Sequence, residues 1–117
     1  MPLTKEFKQT IMANLQDREY RVAYLAQAIE VMHGGEFELG KRMLRNYINA
    51  TVGFEALSNA VGSPTKSLMR MLGETGNPHA DKLFGILKHL REVDQLEVRL
   101  VPKARTSRPR QRSARTQ

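Results

Sequence analysis

The chain is 117 residues long and contains no Cys, with 19 Lys and Arg against 12 Asp and Glu for a formal net charge of +7. That length suits one domain with a modest core, and the missing thiols exclude a disulfide scaffold, a cysteine nucleophile and a thiolate metal site. No run approaches the ~20 apolar residues of a membrane span, and Lys5, Glu6 and Lys8 stand where a signal peptide needs an apolar stretch, so a cytoplasmic location is expected.

Thr4 is a suitable cap for a first helix carrying a weak stripe of Phe7, Ile11 and Leu15. Asp17 opens a better one, with Val22, Leu25, Ala26, Ile29 and Met32 expected on its buried face, and Gly34-Gly35 stops it. Glu36 to Ala50 predicts a third helix with Phe37, Leu44 and Ile48 inward. Lys41, Arg42 and Arg45 cover much of its remaining surface, and they are expected to form a solvated face partly neutralised by Glu36 and Glu38 rather than a phosphate contact.

The segment from Phe54 to Leu90 is the most informative. Phe54, Leu57 and Val61 recur at i, i+3 and i+7, so they share one face of a helix that must end near Gly62. Glycine takes a left-handed turn there at no steric cost. Ser63 is then expected as an N-cap and Pro64 as the first helical residue, with Leu68, Met71 and Leu72 facing inward. Thr65, Lys66, Met69 and Arg70 are left on the outer face, a small, polar and cationic set that suits contact with base edges and phosphates. The same spacing also fits an ordinary helical hairpin with a solvated outer face. Gly73-Glu74-Thr75-Gly76 makes a loop, Asn77 and Pro78 are expected to start the next helix, and Leu83, Ile86, Leu87 and Leu90 form its apolar stripe. Beyond it, Leu96, Val98 and Leu100 alternate with Glu97, Arg99 and Val101, the pattern of a short strand that must pair with a symmetry mate or along the domain.

The charge lies at the end of the chain. Lys103, Arg105, Arg108, Arg110, Arg112 and Arg115 are six basic residues in a stretch with no acidic one, which leaves 13 basic against 12 acidic groups in residues 1–101. With Pro102, Pro109 and no apolar periodicity, residues 102–117 are expected to be a disordered basic tail. If all six charges met phosphates, the slope of log K against log salt would steepen by about 5 without any sequence preference.

Enzymatic signatures are missing. His33, His79 and His89 lack the clustering of a metal site, His79 and Asp81 point to different faces of the helix they begin, and neither glycine pair continues as a phosphate-binding loop. The expectation is a non-enzyme without metal or cofactor.

Three runs together resemble the HigA-like antitoxins of bacterial addiction modules, which carry an Xre-type helix-turn-helix. They are Gly62-Ser63-Pro64-Thr65-Lys66-Ser67-Leu68-Met69-Arg70-Met71-Leu72, then Gly76-Asn77-Pro78, then Leu83-Phe84-Gly85-Ile86-Leu87-Lys88-His89-Leu90. Looser similarity extends through Leu44 to Gly53 and Asp17 to Ile29, about two-thirds of the chain. Ser58 stands where such motifs usually place Ala, so its hydroxyl needs a partner. The resemblance implies an all-α, lambda-repressor-like domain of five to six helices with a short C-terminal strand. It divides the chain into N-terminal helices (1–35), a helix-turn-helix domain (36–101) and the tail.

It further implies a homodimeric repressor on operator double-stranded DNA, the expected working form because one short helix reaches few bases. The residues implied at the DNA are Ser63, Thr65, Lys66, Ser67, Met69, Arg70 and Asn77. The N-terminal helices would bind a RelE-like ribonuclease toxin, for which Phe7, Tyr20, Tyr24 and Tyr47 are the aromatic candidates. Two other readings stay open: a protein-interaction module that neutralises a toxin without touching DNA, and a stand-alone phage-like repressor.

Overall fold

Two side-chain caps start the chain as the sequence dictates. In the computed structural model, which describes residues 4–104, the Thr4 hydroxyl accepts the Phe7 amide at 3.0 Å and opens α1 (Lys5–Asn14). The Asp17 carboxylate accepts the Tyr20 amide at 3.0 Å and opens α2 (Arg18–His33). Each satisfies an amide that the first helical turn leaves without an internal partner. Gly34 ends α2, Gly35 turns at φ +97°, and α3 (Phe37–Ala50) runs back. Then come α4 (Gly53–Val61), α5 (Thr65–Met71) and α6 (Ala80–Val93). The regular structure among the described residues is therefore all helical, with no strand.

One core joins all six helices. Leu15, Leu25, Leu44, Ile48, Leu57, Leu68, Leu72, Ile86 and Leu90 are almost wholly removed from solvent, with Tyr47 among them. Helix α3 is central, since it packs against α1, α2 and α4. Its approach to α2 is close: a Cβ placed on Gly40 would lie 2.0 Å from Met32 Cγ and 3.2 Å from the Ala28 carbonyl oxygen. Small residues must occupy this crossing. That moves the buried face of α2 onto Leu25 and Ala28, while Ala26, expected inward, is exposed and Val22 is only half-buried. In α1, Ile11 is buried but Phe7 remains half-exposed.

Several local expectations are corrected. The segment from Leu96 to Val101 is not a strand, because no second segment among the described residues lies alongside to accept its ladder bonds. Ser63 does not cap α5: Pro64 holds the extended N-cap position and its carbonyl accepts the Leu68 amide at 3.0 Å. Asn77 does not start α6 either. That role falls to His79, because residues 73–78 are used to pass the chain beneath the end of α5. Tyr47, an aromatic candidate for partner contact, is buried in the core.

A polar cluster ties the ends of the fold together. Asp94, just past α6, takes two hydrogen bonds from Arg21, Nε to Oδ2 at 2.8 Å and Nη2 to Oδ1 at 3.1 Å. Tyr47 donates its hydroxyl to Oδ2 at 3.3 Å, and Arg18 reaches the Asp94 carbonyl at 2.7 Å. Arg21 also donates to the Gln16 carbonyl at 3.1 Å, so one guanidinium joins the α1–α2 turn, α2 and the end of α6. The Arg21 hydrogen bond holds the Asp94 carboxyl below its ordinary range, and burial pushes the Tyr47 hydroxyl up to about 12.

Because the folded Asp94 carboxyl titrates below its unfolded value of about 3.9, its stabilisation is complete above that pH and is lost as pH falls through the folded value. Asp94→Asn is therefore expected to cost about 1–3 kcal/mol in urea unfolding at pH 7, by breaking a charge-assisted pair. The gap from wild type should close as the pH is lowered below about 4. A gap that stays constant into acid would contradict the assignment.

Candidate functional site

Helix α5 has seven residues, and three features place it. Gly62 turns at φ +73°, in the left-handed region, and its amide bonds the Ser58 carbonyl at 2.9 Å to close α4. The Ser58 hydroxyl donates to the Ser63 carbonyl, so this half-buried polar group is satisfied across the turn. Leu68 and Leu72 are then fully buried in the core.

The C-terminal end of α5 is held by cations from α3. Arg45 donates through Nη1 to the Leu72 carbonyl. Lys41 donates through Nζ to the Gly73 carbonyl at 2.9 Å and also to the Gly76 carbonyl. A helix of this length presents its last carbonyls as a partial negative charge, and two cations supply both hydrogen bonds and field at that point. Lys41 has no exposed surface, a Glu38 carboxylate oxygen lies 3.1 Å from Nζ, and the ammonium sits 5.5 Å from the centre of the Phe37 ring. The solvated face expected for Lys41 and Arg45 is thus corrected: Lys41 is wholly buried, and Arg45, half-buried like Arg42, spends its guanidinium on a backbone carbonyl. The loop they hold is tight. A Cβ on Gly76 would lie 1.9 Å from the Arg70 carbonyl oxygen, so only glycine passes there without moving the backbone of α5.

Fixed at both ends and along its inner side, α5 turns the opposite side to solvent. Lys66, Met69 and Arg70 are exposed on it, and Thr65 and Ser67 lie half-buried at its margins. Asn77 is exposed on the loop that leaves the helix. Ser63 departs from the expected set, since the turn that lets its carbonyl meet Ser58 leaves it buried. Of the expected aromatics, Phe7 and Tyr20 reach solvent, and Tyr20 stacks on the half-buried Tyr24 with ring centres 6.1 Å apart. Arg105 and the rest of the basic tail beyond it lie outside the described residues.

Sequence patterns carry no trace of the Lys41 and Arg45 contacts, whose partners lie 27 to 35 residues away. The nearest signal is the Gly-rich loop after a very short helix, which says that carbonyls there need donors but not which ones. Comparison with protein-family models, curated proteins and solved structures finds no match.

Lys41→Met fills similar volume and removes the ammonium from two part-buried carbonyls, at an expected cost of about 1–3 kcal/mol in chemical denaturation. Amide exchange should quicken first in α5 and the 73–76 loop. Equal protection in the variant and wild type would refute the anchoring role.

Proposed function

We propose that this chain is a sequence-specific DNA-binding transcriptional regulator. The observation that carries the reading is the outer side of α5, where Lys66, Met69 and Arg70 project from a helix whose other sides are pinned by core and carbonyl contacts. A helix that enters the major groove needs that division: rigid support behind, and a few side chains free to hydrogen-bond base edges and phosphates. Thr65 and Ser67 add hydroxyls at the margin, and Asn77 adds an amide on the adjoining loop. The left-handed Gly62 between α4 and α5 agrees with a helix-turn-helix of the lambda-repressor type.

Charge supports a site built from placed groups. Residues 1–101 are almost balanced, so affinity at this face comes from Lys66 and Arg70 themselves and from a second copy on a palindromic site. The resemblance of the sequence to HigA-like antitoxins extends the proposal to autorepression of a toxin–antitoxin operon and neutralisation of a RelE-like toxin. The exposed Phe7 on α1 and Tyr20 on α2 are the aromatic groups offered for that contact. Co-expression with a neighbouring toxin-like reading frame should then yield a complex that co-purifies.

A gel shift on the DNA upstream of the coding sequence tests the central claim. Lys66→Ala with Arg70→Ala is expected to weaken binding about thirtyfold or more at fixed salt, from about 1–3 kcal/mol per base-edge contact. Binding equal to wild type would remove this face from DNA contact.

A further inference from the structure

Among the described residues the chain beyond α6 is unpartnered, and the order of its side chains is its own complement. Helix α6 stops in a left-handed turn: the Leu96 amide bonds the Arg91 carbonyl at 2.9 Å, the Gln95 amide bonds the Glu92 carbonyl at 3.2 Å, and Gln95 sits at φ +58°. This is the hydrogen-bond pattern of a Schellman stop, and Leu96 packs back on the core. From Glu97 to Ala104 no backbone–backbone hydrogen bond forms among the described residues. Val98, Leu100 and Val101 are 59%, 96% and 80% exposed. Val98 edges an apolar groove of about 470 Å³ whose walls include Met32, Phe37, Leu83 and Phe84, and Phe84 is itself 62% exposed.

We infer that a second copy of this chain covers this face, the two Leu96–Leu100 segments pairing antiparallel about a two-fold axis through Val98. In that register Leu96 stands opposite Leu100, Val98 opposite Val98, and Glu97 opposite Arg99, the charged pair occurring twice. Side chains directly opposite in an antiparallel pair share a face. The three apolar pairs therefore fall on one side of the ribbon and both ion pairs on the other. Moving the axis by one residue places Glu97 against Glu97 or Arg99 against Arg99, so charge selects the register.

In the single chain the Glu97 carboxylate accepts from its own Arg99 at 3.0 Å, with both side chains largely in solvent. An exposed contact of this kind contributes little and yields readily to a cross-strand partner. The ribbon also pairs one edge of each segment, which a lone strand cannot do. Two five-residue strands bury less than the ~1,200 Å² of a stable interface. The apolar side of the ribbon must therefore lie on the grooves, each copy bringing its Leu100 beside the other's Leu96 and against the wall near Phe84.

This inference rests on the two-copy reading above, and its readout needs no DNA. Sedimentation equilibrium of the full chain should show a reversible dimer. Glu97→Arg and Arg99→Glu, each placing four like charges across the ribbon, should each raise the dimer dissociation constant tenfold or more. Their equimolar mixture should recover a dimer, seen as the heterodimer by native mass spectrometry, because the charges are again opposite. A wild-type chain that stays monomeric at all concentrations overturns the proposal. So does either variant dimerising as wild type, or a mixture no tighter than its components. The charged positions lie outside the core, so melting curves taken well below the dimer dissociation constant should match wild type. Gel shift with the α5 variants tests DNA binding separately.

Discussion

Seven residues of helix close only a few internal hydrogen bonds, and a helix of that length does not persist alone in water. Helix α5 exists because its neighbours complete it. Its inner residues, Leu68 and Leu72, are buried, and the carbonyls from its end onward receive an ammonium and a guanidinium from α3. Burying an ammonium without partners is costly, and here the cost is offset by two carbonyl acceptors and a carboxylate from Glu38. The arrangement binds each side to the other: without the loop carbonyls Lys41 has no reason to be inside, and without Lys41 the loop carries unsatisfied acceptors.

The same helix α3 supplies the second tie. Six residues beyond Lys41, Tyr47 reaches Asp94, and through that carboxylate the beginning of α2 is fastened to the end of α6. Contacts of this range close the bundle around its core, and they use up cations in doing so. Arg18, Arg21, Lys41 and Arg45 all donate to groups of the fold itself. Among the described residues, what α5 presents to solvent is a small set, Lys66 and Arg70 beside Met69, on a body whose residues 1–101 are nearly balanced in charge. The stop at Gln95 has a comparable effect at the other end of the domain, since it releases the chain in a direction that leaves Val98, Leu100 and Val101 exposed.

The helices were legible because their signals are local. Thr4 and Asp17 cap through bonds spanning three residues, Gly35 and Gly62 turn the chain in the left-handed region after α2 and α4, and the stripes on α4 and α6 follow the helical period. The small-residue crossing of Ala28 on Gly40 was not legible, because neither residue announces which neighbour it must admit. Ser63 and Asn77 are suitable capping residues that the structure leaves uncapping: the turn buries one, and the loop beneath α5 uses up the other before α6 begins. Thr65, Lys66, Ser67, Met69 and Arg70 fell on or beside the outer side of α5 because their angular positions depend on sequence spacing alone.

Periodicity and backbone preferences that act within a few residues account for the helices, the turns after α2 and α4, most of the apolar core and the exposed stripe of α5, but the alternation after α6 points to a strand that does not form among the described residues. Packing alone set that Lys41 is buried and Arg45 meets the Leu72 carbonyl, that Arg21 and Asp94 meet, and that the alternating segment after α6 stands without a strand to pair with among the described residues. Those outcomes depend on which polar groups arrive together once the apolar faces have closed. A charge has no period that reveals its partner, and the nearest carbonyl or carboxylate to each of these side chains was set by packing far from it in the chain.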